Sequence, residues 1–107
     1  MRLTSQQIKG LIISLDVFLE RHRAELCLYG SRVDDSQKGG DIDLLVLVDE
    51  PDFANELLQK KHLLLANMKK QLGDQKIDLK ISSKQDVTQD LFLNMILPKA
   101  IILKKWP

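Results

Sequence analysis

Residues 25–48 read Glu-Leu-Cys-Leu-Tyr-Gly-Ser-Arg-Val-Asp-Asp-Ser-Gln-Lys-Gly-Gly-Asp-Ile-Asp-Leu-Leu-Val-Leu-Val. Glu25 to Tyr29 is short and mostly apolar, which predicts a buried strand, and Gly30-Ser31 breaks it. Arg32 to Gly40 is polar, holds two aspartates and closes on a Gly-Gly pair, so it predicts a loop with room for one helical turn. Asp41 to Val48 is a second strand. Its inner run, Leu44-Leu45-Val46-Leu47-Val48, is apolar without alternation, the pattern of a central strand covered on both faces.

Outward from this stretch the elements alternate. Thr4 or Ser5 caps a helix whose apolar residues Ile8, Leu11, Ile12, Leu15, Phe18 and Leu19 recur at three- and four-residue spacing, ending near Arg23. Pro51 and Asp52 open a second helix that carries Phe53, Leu57, Leu64, Met68 and Leu72 and stops at Gly73-Asp74. Lys76 to Ile81 alternates as a third strand, with Ile77, Leu79 and Ile81 on one side and Lys76, Asp78 and Lys80 on the other. Ser82 or Ser83 begins a last helical region bearing Val87, Leu91, Phe92, Met95 and Ile96; Pro98 interrupts it, and a short apolar stretch runs to Trp106. This order predicts an α/β or α+β fold, a small mixed β-sheet with helices packed against it and the loop at one end of the sheet.

The 107 residues suffice for one domain with one core, residues 1–107. With 44% apolar and 29% charged residues the chain has an ordinary globular balance and not that of a disordered one. A formal net charge of +1 gives no strong nucleic-acid signal. The single cysteine, Cys27, excludes an internal disulfide and a cysteine zinc site, and its apolar neighbours place it in the core. The polar N-terminus lacks a signal-peptide apolar region and no apolar run is long enough to span a bilayer, so the expectation is a cytoplasmic protein without a membrane partner.

Three short features carry chemistry only in combination. Gly30 follows a strand and lets the backbone approach a phosphate, and Ser31 sits where outward amides hold anionic oxygens. Taken alone, Gly-Ser is also an ordinary turn. Asp41 and Asp43 stand two apart on a strand, on one face and about 6–7 Å apart along it. Their mutual repulsion is relieved by a divalent cation, and magnesium prefers such oxygen ligands. An isolated Asp-x-Asp equally serves to end a strand in solvent. Asp78 stands among apolar neighbours in a strand, although aspartate is a poor strand former. If the second and third strands are neighbours, three carboxylates share one face and fit a two-metal phosphoryl-transfer site. The other reading of Asp78 is an exposed face shared with Lys76 and Lys80.

Together, Gly30-Ser31, nine intervening residues, Asp41-Ile42-Asp43 with Leu44-Leu45-Val46, and then Asp78 one strand later resemble the nucleotidyltransferase superfamily of DNA polymerase beta, and within it the minimal nucleotidyltransferases. Tyr29 stands where that family has an aromatic residue, and Arg32 fits its Gly-Ser-Arg form. Gly40 departs from it, since many members carry serine before the first aspartate. The resemblance implies a nucleotidyltransferase fold and magnesium at Asp41, Asp43 and Asp78, in a two-metal site. It also implies ATP or another nucleoside triphosphate bound through Gly30, Ser31 and Arg32, and an acceptor hydroxyl deprotonated with the help of Asp78. Larger relatives add a domain for the acceptor. Members of this size are often paired with a helical HEPN-type toxin and act as its antitoxin, which implies AMP transfer to that partner. The alternative is an antitoxin that neutralises by contact, with catalysis dispensable. A small-molecule acceptor would need a pocket that a homo-oligomer could supply.

The remaining candidates have plainer readings. His22 and His62 are expected on exposed helix positions among basic neighbours, with no further ligand spaced for zinc. The lysines between Lys60 and Lys70 form a solvated helix face. Lys104-Lys105-Trp106 reads either as an anchor for a partner or as a loose end.

Overall fold

The computed structural model describes residues 3–30 and 41–107. The predicted loop, with Ser31, Arg32, Gly39 and Gly40, lies outside the described residues. Helix α1 spans Ser5–Leu19, strand β1 Ala24–Tyr29, strand β2 Ile42–Val48, helix α2 Pro51–Gln59, helix α3 Lys61–Leu72 and strand β3 Ile77–Ser83. Short helices α4, Lys84–Val87, and α5, Leu91–Ile96, precede a 3₁₀ turn, Leu97–Lys99, and strand β4, Ile101–Trp106.

Local chemistry sets the element ends. Thr4, not Ser5, caps α1. Its Oγ1 accepts from the Gln7 amide at 3.0 Å while Gln7 Oε1 accepts from the Thr4 amide at 2.9 Å, a closed capping box. The helix stops at Leu19 and does not reach Arg23. Arg21, His22 and Arg23 are all exposed and offer no apolar residue to continue the buried stripe, so His22 lies in the turn and stacks on the Phe53 ring at 3.5 Å. The second predicted helix is two. Lys60 leaves helical geometry at φ −102°, ψ 11°, yet no backbone group is lost. Its amide donates to Leu57 O at 3.0 Å, and its carbonyl accepts from Leu63 N at 2.8 Å. The last helical region is also two helices, each with a side-chain cap: Ser83 Oγ accepts from Asp86 N at 3.0 Å and Asp90 Oδ1 from Leu93 N at 3.1 Å.

The sheet has four strands in the order β3-β2-β1-β4. β2 is antiparallel to β1 and parallel to β3, and β4 is antiparallel to β1. One face packs Leu28, Ile42, Leu44, Val46 and Leu79 against Leu11, Leu15, Leu57, Leu64 and Met68 of α1–α3. The other packs Cys27, Tyr29, Leu45 and Leu47 against Val87 and Leu93 of the short helices. Burial on both faces is why β2 reads as an unbroken apolar run.

The terminal apolar stretch is strand β4, and Trp106 is neither an outward anchor nor a loose end. It is 5% exposed, and its Nε1 donates to Asp16 Oδ1 at 2.8 Å. Trp106→Phe is expected to cost about 1–2 kcal/mol through that hydrogen bond and lost volume. The melting temperature, followed by circular dichroism, should fall by roughly 5–10 °C. An unchanged melting temperature would show that the tryptophan does not tie β4 to α1.

Candidate active site

The chain order of the strands brings the chemical residues to one end of the sheet. β1 ends where the antiparallel β2 begins, and the parallel β3 begins beside it. Ile42 N donates to Lys76 O at 2.9 Å and fixes the two strand starts level with each other. The register then pairs Tyr29 with Asp43, and Asp43 with Asp78. Residues directly paired across strands share a face, so these three side chains form one row on the face carrying α4 and α5. Asp41 lies just before β2, outside the strand expected to begin with it, and its charge acts on Asp43 two residues on. Register thus sets Asp43 beside Asp78, while Asp41 stands outside the paired residues.

Gly30 closes β1 at φ +77°, and a Cβ built there would collide with the Asp43 carboxylate. Glycine is thus required twice, for the left-handed turn and for the close approach of β1's end to Asp43. A phosphate is the neighbour expected for Gly30 from sequence, and the Asp43 carboxylate already stands against it. Ser31 and Arg32 fall outside the described residues.

The electrostatics of the row are those of excess negative charge. Burial, then Asp78, then Asp41 push the Asp43 carboxyl above its ordinary value, with Lys80 opposing. Burial, then Asp78 and Asp43, push the Tyr29 hydroxyl up to about 12. Asp41 Oδ2 faces Lys76 Nζ at 3.9 Å, a long and exposed ion pair. Among the described residues no three His, Cys, Asp or Glu side chains are closed into a ready cation cage. The donor set nonetheless fits a divalent cation. It consists of carboxylate oxygens only, and Asp43 is raised by burial first and then by Asp78 and Asp41, whose repulsion such a cation would relieve.

Two neighbours of the row were legible only in part. Lys80 follows Asp78 by two residues on the same face, and its Nζ lies 5.2 Å from the centre of the Phe92 ring. Phe92 in turn meets Tyr29 edge-on, with centroids 6.0 Å apart. The alternation of β3 was the signal for Lys80. Nothing in the sequence signalled Phe92, because α5 is placed over this face only by the fold.

A cleft of about 490 Å³ lies at the other end of the sheet, lined by Arg23, Glu25, Asp49, Lys84 and Trp106 among others. Its charges answer one another: Lys84 Nζ stands 3.4 Å from Asp49 and 3.9 Å from Glu25. That balance contrasts with the row, where burial and the Asp78 and Asp41 charges outweigh Lys80 at Asp43.

Residues 12–103 match the family model of the nucleotidyltransferase domain. No curated protein and no solved structure matches the chain. The matched span starts inside α1, ends inside β4 and includes the whole row from Tyr29 to Asp78. The chain therefore belongs to the nucleotidyltransferase domain family, whose members are transferases of nucleotidyl groups.

Proposed function

We propose that the protein transfers a nucleoside monophosphate, AMP from ATP, to a hydroxyl on a protein acceptor, with magnesium held by Asp41, Asp43 and Asp78. The observation that carries this reading is the register of Asp43 with Asp78 on adjacent parallel strands, with Gly30 against Asp43. In the reaction the acceptor oxygen bonds to the α-phosphorus and the bond to the β-phosphate bridging oxygen breaks, releasing pyrophosphate. Bound magnesium supplies neutralisation of the triphosphate charge and of the charge that develops during transfer. Asp78, at the outer end of the row, takes the acceptor proton. Gly30, with Ser31 and Arg32 after it, holds the β- and γ-phosphates on the β1 side. The work of the protein is mainly positioning, as in phosphoryl transfer generally.

A protein acceptor is supported by the surface beside the row. Leu91 and Met95, one turn apart on α5, are 84% and 74% exposed next to Phe92. A helical HEPN-type toxin is the acceptor this reading favours, with the chain as its antitoxin. The same exposed residues also suit the second reading, neutralisation by contact alone.

The reading is tested by thermal unfolding with magnesium and each nucleoside triphosphate. At a hundredfold excess over Kd, binding adds about 2.7 kcal/mol, a rise of roughly 10 °C or more for a chain this long. The rise should shrink as pH falls through the Asp43 ionisation, which is raised above its ordinary value by burial and then by Asp78 and Asp41, because protonated Asp43 is a poor ligand. A melting temperature unmoved by any triphosphate with magnesium or manganese would refute the proposed site.

A further inference from the structure

One buried polar group in the row has no hydrogen-bond partner among the described residues. Tyr29 is 5% exposed, and among the described residues its hydroxyl finds no hydrogen-bond partner. A buried hydroxyl left unsatisfied is costly, and phenylalanine would fill the same space and keep the edge contact with Phe92. The hydroxyl also donates to neither carboxylate of its own row, although ionised carboxylates are strong acceptors. A buried donor beside a charged site, without a partner among the described residues, is available to a ligand whose binding opens the site to it.

The position of Tyr29 in the row selects the ligand atom. Asp43 lies between Tyr29 on β1 and Asp78 on β3. The Asp78 side is that of the acceptor hydroxyl, whereas Tyr29 precedes Gly30, whose turn abuts Asp43. We propose that the Tyr29 hydroxyl donates a hydrogen bond to a phosphate oxygen of the incoming nucleoside triphosphate. The inference rests on the nucleotidyltransferase reading above and adds to it a binding residue and the atom it touches.

Tyr29→Phe removes the hydroxyl and nothing else. Calorimetric titration of wild type and variant with magnesium–ATP, and separately with magnesium–inorganic triphosphate, tests the contact. The variant should bind both probes about ten- to hundredfold more weakly, the range of a hydrogen bond to a charged acceptor. Its metal-free form should melt no lower than wild type, because the lost group has no partner among the described residues. Equal binding of both probes by the variant overturns the proposal. Weakened binding of ATP alone also overturns it, since the contact would then lie on the base or ribose. A lower melting temperature of the metal-free variant would show that the hydroxyl is already used within the protein. Should wild type bind neither probe, the nucleotidyltransferase reading itself falls, and this inference with it.

Discussion

Asp43→Asn should reduce transfer at least about a thousandfold and leave a protein no less stable than the wild type. The loss follows from position. Asp43 is the middle of the row, flanked by Asp78 in register and by Asp41 two residues before it. Replacing a central carboxylate with a neutral amide removes the proposed cation ligand, and several kcal/mol of transition-state stabilisation should go with it. About 4 kcal/mol is a thousandfold in rate. The stability effect has the opposite sign. The folded protein holds the Asp43 carboxyl above its ordinary value, so its favourable contribution exists only while it is protonated and is lost as pH rises through the folded value. At neutral pH the charged side chain is therefore a net cost in the metal-free protein. Solvent screening of this half-buried group keeps the gain on removal to a few tenths of a kcal/mol. Melting curves without metal at pH 7 and near pH 4 check the sign: the variant should gain on the wild type at the higher pH and not at the lower. A variant that melts well below wild type at pH 7 would contradict the electrostatic description of the row.

Gly30→Ala should lose both stability and transfer. A residue with a Cβ at φ +77° costs about 1–2 kcal/mol. The new atom would also collide with the Asp43 carboxylate, so either Asp43 rotates out of the row or β1 and β2 part at their shared end. The expected outcome is a melting temperature lower by roughly 10 °C and transfer reduced about a hundredfold or more. Gly73 provides the control. It has the same positive φ but open space around the position of a Cβ. Gly73→Ala should cost stability through backbone strain and leave the rate of transfer alone. Melting curves and transfer assays on the two variants in parallel separate strain from damage to the row. Equal transfer by both variants would mean that Gly30's contact with Asp43 has no part in the site.

The middle of the fold was the most legible in sequence because several signals agreed there. The unbroken apolar run of β2, the alternation of β3 and the Gly-Ser break after β1 each fixed an element, and parallel pairing of β2 with β3 brought Asp43 beside Asp78. The ends were less legible for physical reasons. Lys60 ends a helix without losing a hydrogen bond, so no breaker residue announces it. β4 joins the sheet by pairing with β1 from across the chain, and a six-residue strand holding two lysines carries no local mark of that partner. Trp106 read as an external residue because its partner, Asp16, lies in the first helix. Lys80 was visible by alternation alone, and Phe92 reached the row only through the placement of α5.

The most direct test of the account is the intact mass of the protein encoded beside this chain after incubation with ATP, magnesium and either wild type or Asp43→Asn. Wild type should add the mass of one nucleoside monophosphate per acceptor site, and the variant none. Wild type that leaves the neighbour's mass unchanged with every nucleoside triphosphate, while folded and binding its partner, would contradict the proposed transfer. If the neighbour is then still neutralised by both forms, the second reading, inhibition by contact, takes its place.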